Sequence, residues 1–144
     1  MADAYNLARF VEAQATVYET AVAELTAGRK RSHWIWFIFP QVAGLGHSAM
    51  SHKYAIASRS ETKAFLEHPV LGARLRECTQ LVLNVEGRRI EEIFPYPDDL
   101  KFGSSMTLFA ACGKDSDRFQ QAIDKYFGGR PDQQTLDILA KLGS

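Results

Sequence analysis

The chain has 144 residues, 46% of them hydrophobic and 24% charged, the mix of an ordinary globular protein and long enough to bury a core without staples. Seventeen basic and seventeen acidic residues cancel, and the sequence pI is near 6.9, so no overall field draws the molecule to nucleic acid or to an anionic membrane. No stretch of 18 apolar residues could span a bilayer, and MADAYNLARF has neither the basic nor the apolar region of a signal peptide. The two cysteines, Cys78 and Cys112, sit among apolar neighbours, which reads as two buried or half-buried free thiols in a reducing cytoplasm.

Asp3 or Asn6 can cap a first helix. Its apolar stripe runs Leu7, Phe10, Val11, Gln14, Tyr18, Ala21, Val22 and Leu25, in steps of three and four, to a stop at Gly28. Gln14 and Tyr18 need hydrogen-bond partners, inside the protein or in a polar cavity. After the basic cluster Arg29, Lys30 and Arg31 comes HWIWFIFP, which by propensity alone reads as a buried strand. A strand needs partners, however, and the rival segment Leu81–Val85 lies inside a helical stripe. Residues 33–39 are therefore read as a short buried helix ended by Pro40.

Residues 41–59 read as a loop, and Ser60 as the cap of a short helix through Leu66. A long helix follows from about Pro69 with Leu71, Leu75, Cys78, Val82 and Val85 on one face, and Gly87 stops it. His68 belongs to that helix entry. Arg89–Phe94 makes a further turn or two. YPDD opens a helix from about Leu100 to Cys112 with Met106 and Phe109 inward. Asp115 or Ser116 caps the next, with Phe119, Ile123 and Phe127 as its stripe and Gly128–Gly129 as its close. Asp132 opens a last helix bearing Leu136, Leu139 and Leu142. The expectation is all-α: one compact multihelical domain of seven or eight helices over residues 1–144, with a monomer favoured.

Three segments could carry chemistry. HWIWFIFPQ offers His33, Trp34, Trp36 and Gln41 behind Lys30. GLGHS offers Gly44 and Gly46, which let backbone approach a ligand closely, with His47 and Ser48. DDLKFGSSMT offers Asp98, Asp99, Lys101, Ser104 and Ser105. His47 and His52 lack companions at metal spacing, and neither HExxH nor CxxC occurs, so no metal site is expected. No cofactor is implied either. GLGHS matches neither phosphate-loop fingerprint, and no GxSxG nucleophile elbow exists. Three basic residues at 29–31 are too few for a nucleic-acid stripe.

SHWIWFIFPQ, GLGHS, HPVLGARL and IFP…DDLKFGSSMTLF together resemble domain-of-unknown-function family 1810, over almost the whole chain from RFVEAQ to DQQTLDIL. The resemblance implies a compact, mostly helical bacterial protein without an established activity. A remoter likeness is to helical domains of the NADAR type, whose acidic motif is not recognisable here. That likeness implies a nucleotide- or ADP-ribose-like ligand.

On this reading Trp34 or Trp36 stacks the ligand, and Lys30, His33 and Lys101 face its anionic part. Gln41, Gly44, Gly46, His47 and Ser48 form one wall, and Asp98, Ser104 and Ser105 supply polar contacts. If catalysis exists, Asp98, Asp99 or His33 is the acid or base. The rival reading is a non-enzymatic interaction domain in which the aromatic segment is only core.

Overall fold

A computed structural model describes residues 3–113 and 117–142. It contains ten helices among the described residues: α1 (Ala8–Ala15), α2 (Tyr18–Thr26), α3 (Ile35–Ile38), α4 (Ala49–Lys53), α5 (Arg59–Glu67), α6 (Leu71–Asn84), α7 (Ile90–Ile93), α8 (Asp98–Cys112), α9 (Asp117–Phe127) and α10 (Gln133–Leu142). The fold is thus all-α, and a lone parallel bridge between Val42 and Ile56 is its only sheet-like pairing there.

The excess over eight helices has two sources. The first expected helix breaks at Thr16 and Val17 into α1 and α2, yet its stripe survives, because Leu7, Phe10, Gln14, Ala21 and Leu25 are all buried. The expected loop 41–59 contains α4, capped by Ser48, whose hydroxyl accepts from the Ser51 N–H at 3.1 Å. The cap of α5 is Ser58 rather than Ser60; both are serines, and only the chain's path selects between them.

Other boundaries follow local chemistry. The Asp3 carboxylate accepts from the N–H groups of Leu7 and Ala8 at 2.7 and 2.8 Å, which holds the entry of α1. Gly28, at φ +84°, closes α2. Its N–H reaches Leu25 O and that of Arg29 reaches Glu24 O, the paired bonds of a Schellman ending. His68 Nδ1 accepts from Val70 and Leu71, so this histidine caps α6. The cap expected at Asp115 or Ser116 lies outside the described residues.

The centre of the packing is α8. Phe102 through Phe109 are buried at every position, so this helix is enclosed all round rather than amphipathic. It packs against α9, α10, α5, α7 and α3, while α6 meets α9, α2 and α5. Two of its three buried hydroxyls turn back on their own helix: Ser104 donates to Leu100 O at 3.0 Å and Thr107 to Gly103 O at 2.8 Å, which satisfies groups that burial would otherwise penalise, while the Ser105 hydroxyl is buried without a partner among the described residues.

Phe94 stacks on Phe102 at 4.8 Å, and Phe39 meets Phe102 edge-on at 5.1 Å. Gly72 lets α6 start directly against α5, since a Cβ there would overlap the Leu66 carbonyl. Gln14 is satisfied internally: its amide donates to Phe37 O at 2.7 Å and accepts from Arg74 at 3.3 Å. Tyr18 donates to Glu77. Both cysteines are buried free thiols, and burial pushes Cys78 up to about 12.

Glu24 makes the fold acid-sensitive. Burial by itself would raise its pKa. The Ser32 hydroxyl, the N–H groups of Arg31 and Ser32 and the Trp34 indole overrule that effect and pull it to about 2 from 4.5. A carboxylate depressed in the folded state adds stability that is complete above its unfolded value and fades as pH falls toward the folded one. The melting temperature should therefore drop between about pH 4.5 and 2. Glu24→Gln should melt lower at neutral pH and show a shallower acid slope; an unchanged slope in the variant would place the sensitivity at the other depressed carboxylates, Asp3 and Glu92.

Candidate functional site

A line of alternating charges and rings runs from the interior to the surface. Glu24 accepts from the Trp34 indole N–H at 2.9 Å, and Lys30 Nζ lies 5.2 Å over the Trp34 ring. Lys30 Nζ also meets Asp98 Oδ2 at 2.7 Å, and Asp98 Oδ1 is 3.5 Å from Lys101 Nζ. Lys101 in turn sits 5.0 Å over Trp36. The inner members are sealed: Trp34 is fully buried and the Lys30 side chain is 5% exposed. The outer member, Lys101, opens onto a cleft.

That cleft, about 390 Å³, falls within the range of small-molecule sites. Its first wall is the loop through Gln41, Leu45 and Gly46. The Val42–Ile56 bridge pins this loop, through Ala43 N–H to Ile56 O at 2.8 Å and Ile56 N–H to Gln41 O at 2.9 Å. Gly46 lies so close to α4 that a Cβ would collide with Ser51. The second wall is the first turns of α8, with Leu100, Lys101, Gly103 and Ser104. Bare Gly103 admits the Phe127 ring, which lies 3.0 Å from where a Cβ would stand.

The third wall is the α9–α10 turn, with Phe127, Arg130, Pro131, Asp132 and Gln134. Asp132 is held hard in place. Its Oδ2 accepts from the Thr135 N–H at 3.0 Å and the Thr135 hydroxyl at 2.6 Å and lies 3.3 Å from Ser104 Oγ, while its own N–H donates to Thr107 Oγ1 at 2.8 Å.

A second cleft of about 290 Å³ lies across the loop, lined by Gln41, Gly44, Gly46, His47, Ser51 and His52 among others. Gln41 and Gly46 belong to both. A narrow crevice between Trp36, Gln41, Ser51 and Lys101 adjoins them, and Trp36 Nε1 is buried without a hydrogen-bond partner.

Of the residues read from the sequence, the fold gathers Trp36, Gln41, Gly44, Gly46, His47, Lys101 and Ser104 around these openings. The remainder go elsewhere. Trp34 has no face left for a ligand, and Lys30 and Asp98 neutralise each other. Ser105 is buried within α8, Ser48 caps α4, and exposed His33 and half-buried Asp99 line neither cleft. The stacking role drawn for Trp34, the anion-facing roles of Lys30 and His33 and the acid–base role of Asp98 therefore give way to structural or peripheral ones. They were legible as polar or aromatic residues but not as partners of one another, because Lys30 and Asp98 are 68 positions apart.

The sequence reading missed the third wall. Asp132 was only a helix opener in it, and Phe127 only core. The signal was present in GGRPD: two glycines and a proline holding an arginine and an aspartate in a turn before a helix. Among the described residues no group of three or more His, Cys, Asp or Glu is placed to hold a metal ion.

Among solved structures, this chain is similar to the conserved hypothetical protein Rv1873 from Mycobacterium tuberculosis, with 54% identity and a TM-score of 0.95 over 96% of this chain and 99% of that one. No curated protein matches it. Residues 4–139 match the model of the family described as "Protein of unknown function (DUF1810)", a span that takes in α1 to α9 whole and both clefts. By that match the chain belongs to the DUF1810 family.

Proposed function

We propose that this protein binds a nucleotide- or ADP-ribose-like small molecule in the cleft between the 41–46 loop, the start of α8 and the α9–α10 turn. One observation carries the reading. Two cations, Lys101 and Arg130, line one cleft with an anchored carboxylate, Asp132, an amide, Gln41, and the apolar side chains of Leu45, Leu100, Pro97 and Phe127. An anionic group finds its countercharges at Lys101 and Arg130, a flat or apolar part finds the apolar side chains, and hydroxyls find Gln41 and Asp132. The NADAR-type likeness points to the same ligand class. The reading is one of binding; it assigns no bond-making step to any residue.

The interaction-domain reading draws on the burial of Trp34 and on the exposure of Tyr96 and Leu100. It leaves the convergence of charges in the cleft without a role. A thermal-shift panel of ADP-ribose, NAD, nucleotides and sugar phosphates separates the two. A ligand at 100 times its dissociation constant adds about 2.7 kcal/mol, and that gain should vanish in Lys101→Met/Arg130→Gln while the unliganded melting temperature changes little. No shift from any member of the panel would count against the ligand reading and leave the interaction surface as the better one.

A further inference from the structure

Asp132 caps α10, and capping uses only one of its oxygens. Two protein donors, the Thr135 N–H and the Thr135 hydroxyl, converge on Oδ2, with Ser104 Oγ 3.3 Å away. Oδ1 receives no donor among the described residues, and no ion pair neutralises the carboxylate there. The residue lines the cleft, and Arg130 two positions earlier lines it as well without bonding to it. Thr107, from the buried face of α8, fixes the backbone N–H of the same residue. An acceptor oxygen anchored through its twin, in a cleft that Lys101, Arg130 and apolar side chains also line, is arranged to take hydrogen bonds from a ligand rather than from the protein. Anionic oxygens are acceptors and are repelled by it; hydroxyls donate to it.

We infer that Asp132 is the specificity-determining residue of the cleft: its free oxygen reads a sugar hydroxyl, so that the site selects a phosphorylated sugar over phosphate alone. The inference rests on the cleft being a ligand site, and it narrows the ligand class to molecules carrying both an anion and a hydroxyl within one cleft's reach. Lys101 and Arg130 hold the anion, and Asp132 rejects ligands that lack a donor at that position.

Two variants keep the cap while changing the free oxygen. Asp132→Ser retains one oxygen to accept the Thr135 N–H and has no second one, and Asp132→Asn keeps the cap oxygen and turns the other position into an N–H donor; Ser, Asn and Asp are comparable at helix starts. The probes are inorganic phosphate and ribose 5-phosphate, titrated calorimetrically against the full chain. The wild type should bind ribose 5-phosphate roughly 10- to 100-fold more tightly than phosphate, the range of one charge-assisted hydrogen bond. Asp132→Ser should erase most of that preference, and Asp132→Asn should reduce it. Both should hold phosphate as well as or better than the wild type, because a repelling charge has gone.

A preference unchanged in both variants would show that Asp132 only caps α10. So would a parallel loss of both probes with a lowered melting temperature. If neither probe binds the wild type, the cleft reading itself fails and this inference fails with it.

Discussion

Asp98→Ala should lower the unfolding free energy by about 3–5 kcal/mol, the loss expected when one partner of a buried ion pair is removed. The Lys30 side chain is 5% exposed and Asp98 Oδ2 lies 2.7 Å from its ammonium. Without the carboxylate that charge keeps, among the described residues, only the Trp34 ring, 5.2 Å away, which is a far weaker partner. Domain stabilities run to about 5–15 kcal/mol in all, so the variant should be visibly less stable in urea. The double change Lys30→Met/Asp98→Ala should recover most of the loss, because a charge that is absent needs no partner. A single variant within about 1 kcal/mol of the wild type would mean that Lys30 finds water when Asp98 is gone, and the pair is then not the buried tie described.

The same carboxylate reaches outward. Its other oxygen is 3.5 Å from Lys101, which lines the cleft and sits over Trp36. Asp98 is thus a positioning residue for the cleft's cation, and the single variant should also weaken any anion bound there.

Trp34→Ala should cost about 3–5 kcal/mol, the range for truncating a large buried aromatic residue. The ring is fully buried, tilted against Phe39 at 6.3 Å and edge-on to Phe94 at 6.4 Å, and its N–H serves Glu24. Trp34→Phe should lose less, since the ring contacts partly remain while the bond to Glu24 goes. Trp36→Ala should do the opposite, with a small change in unfolding and a large change in ligand affinity, because Trp36 is half-buried under Lys101 beside the openings. Denaturation curves alongside ligand titrations of the three variants test this. If Trp34→Phe abolished ligand binding at unchanged stability, the separation drawn between the two tryptophans would be wrong.

What could be read without the structure was whatever depends on near neighbours in the chain. The steps of three and four in Leu7–Leu25 and Leu71–Val82 give the right buried faces for α1, α2 and α6, because helical periodicity is local. Asp3, His68 and Asp132 stand where caps were read or allowed, and Gly28 where a stop was, since caps and stops are bonds over two to five residues. The absence of a strand partner for HWIWFIFP was enough to reject a strand. Helix α4 escaped the reading because five residues with no buried member leave no stripe to see.

The candidate site was half legible. GLGHS and DDLKFGSSMT pointed to residues that do line the openings, since a glycine-rich loop and a polar helix entry are local signs. The partners of those residues were not visible. Whether an aspartate is free or spent depends on a lysine 68 positions away. Trp34 and Trp36 are also two positions apart in a single helical turn and its cap, yet one faces the core and the other the crevice, and no property of either residue alone separates them.

Tertiary structure alone decided which element stands at the centre. The aromatic density of HWIWFIFP made it the natural candidate. The enclosed helix is instead α8, whose serines, threonine and glycine read as polar or neutral. The Ser104 and Thr107 hydroxyls bond back to their own helix, and Gly103 lets the Phe127 ring of α9 come close. Burial is a sum over neighbours from every part of the chain. The sequence by itself therefore determined the all-α class and the buried faces of the longer helices, while packing decided where the first helix breaks, which charges cancel, which tryptophan is sealed, and where a cleft with two cations and one uncommitted oxygen remains.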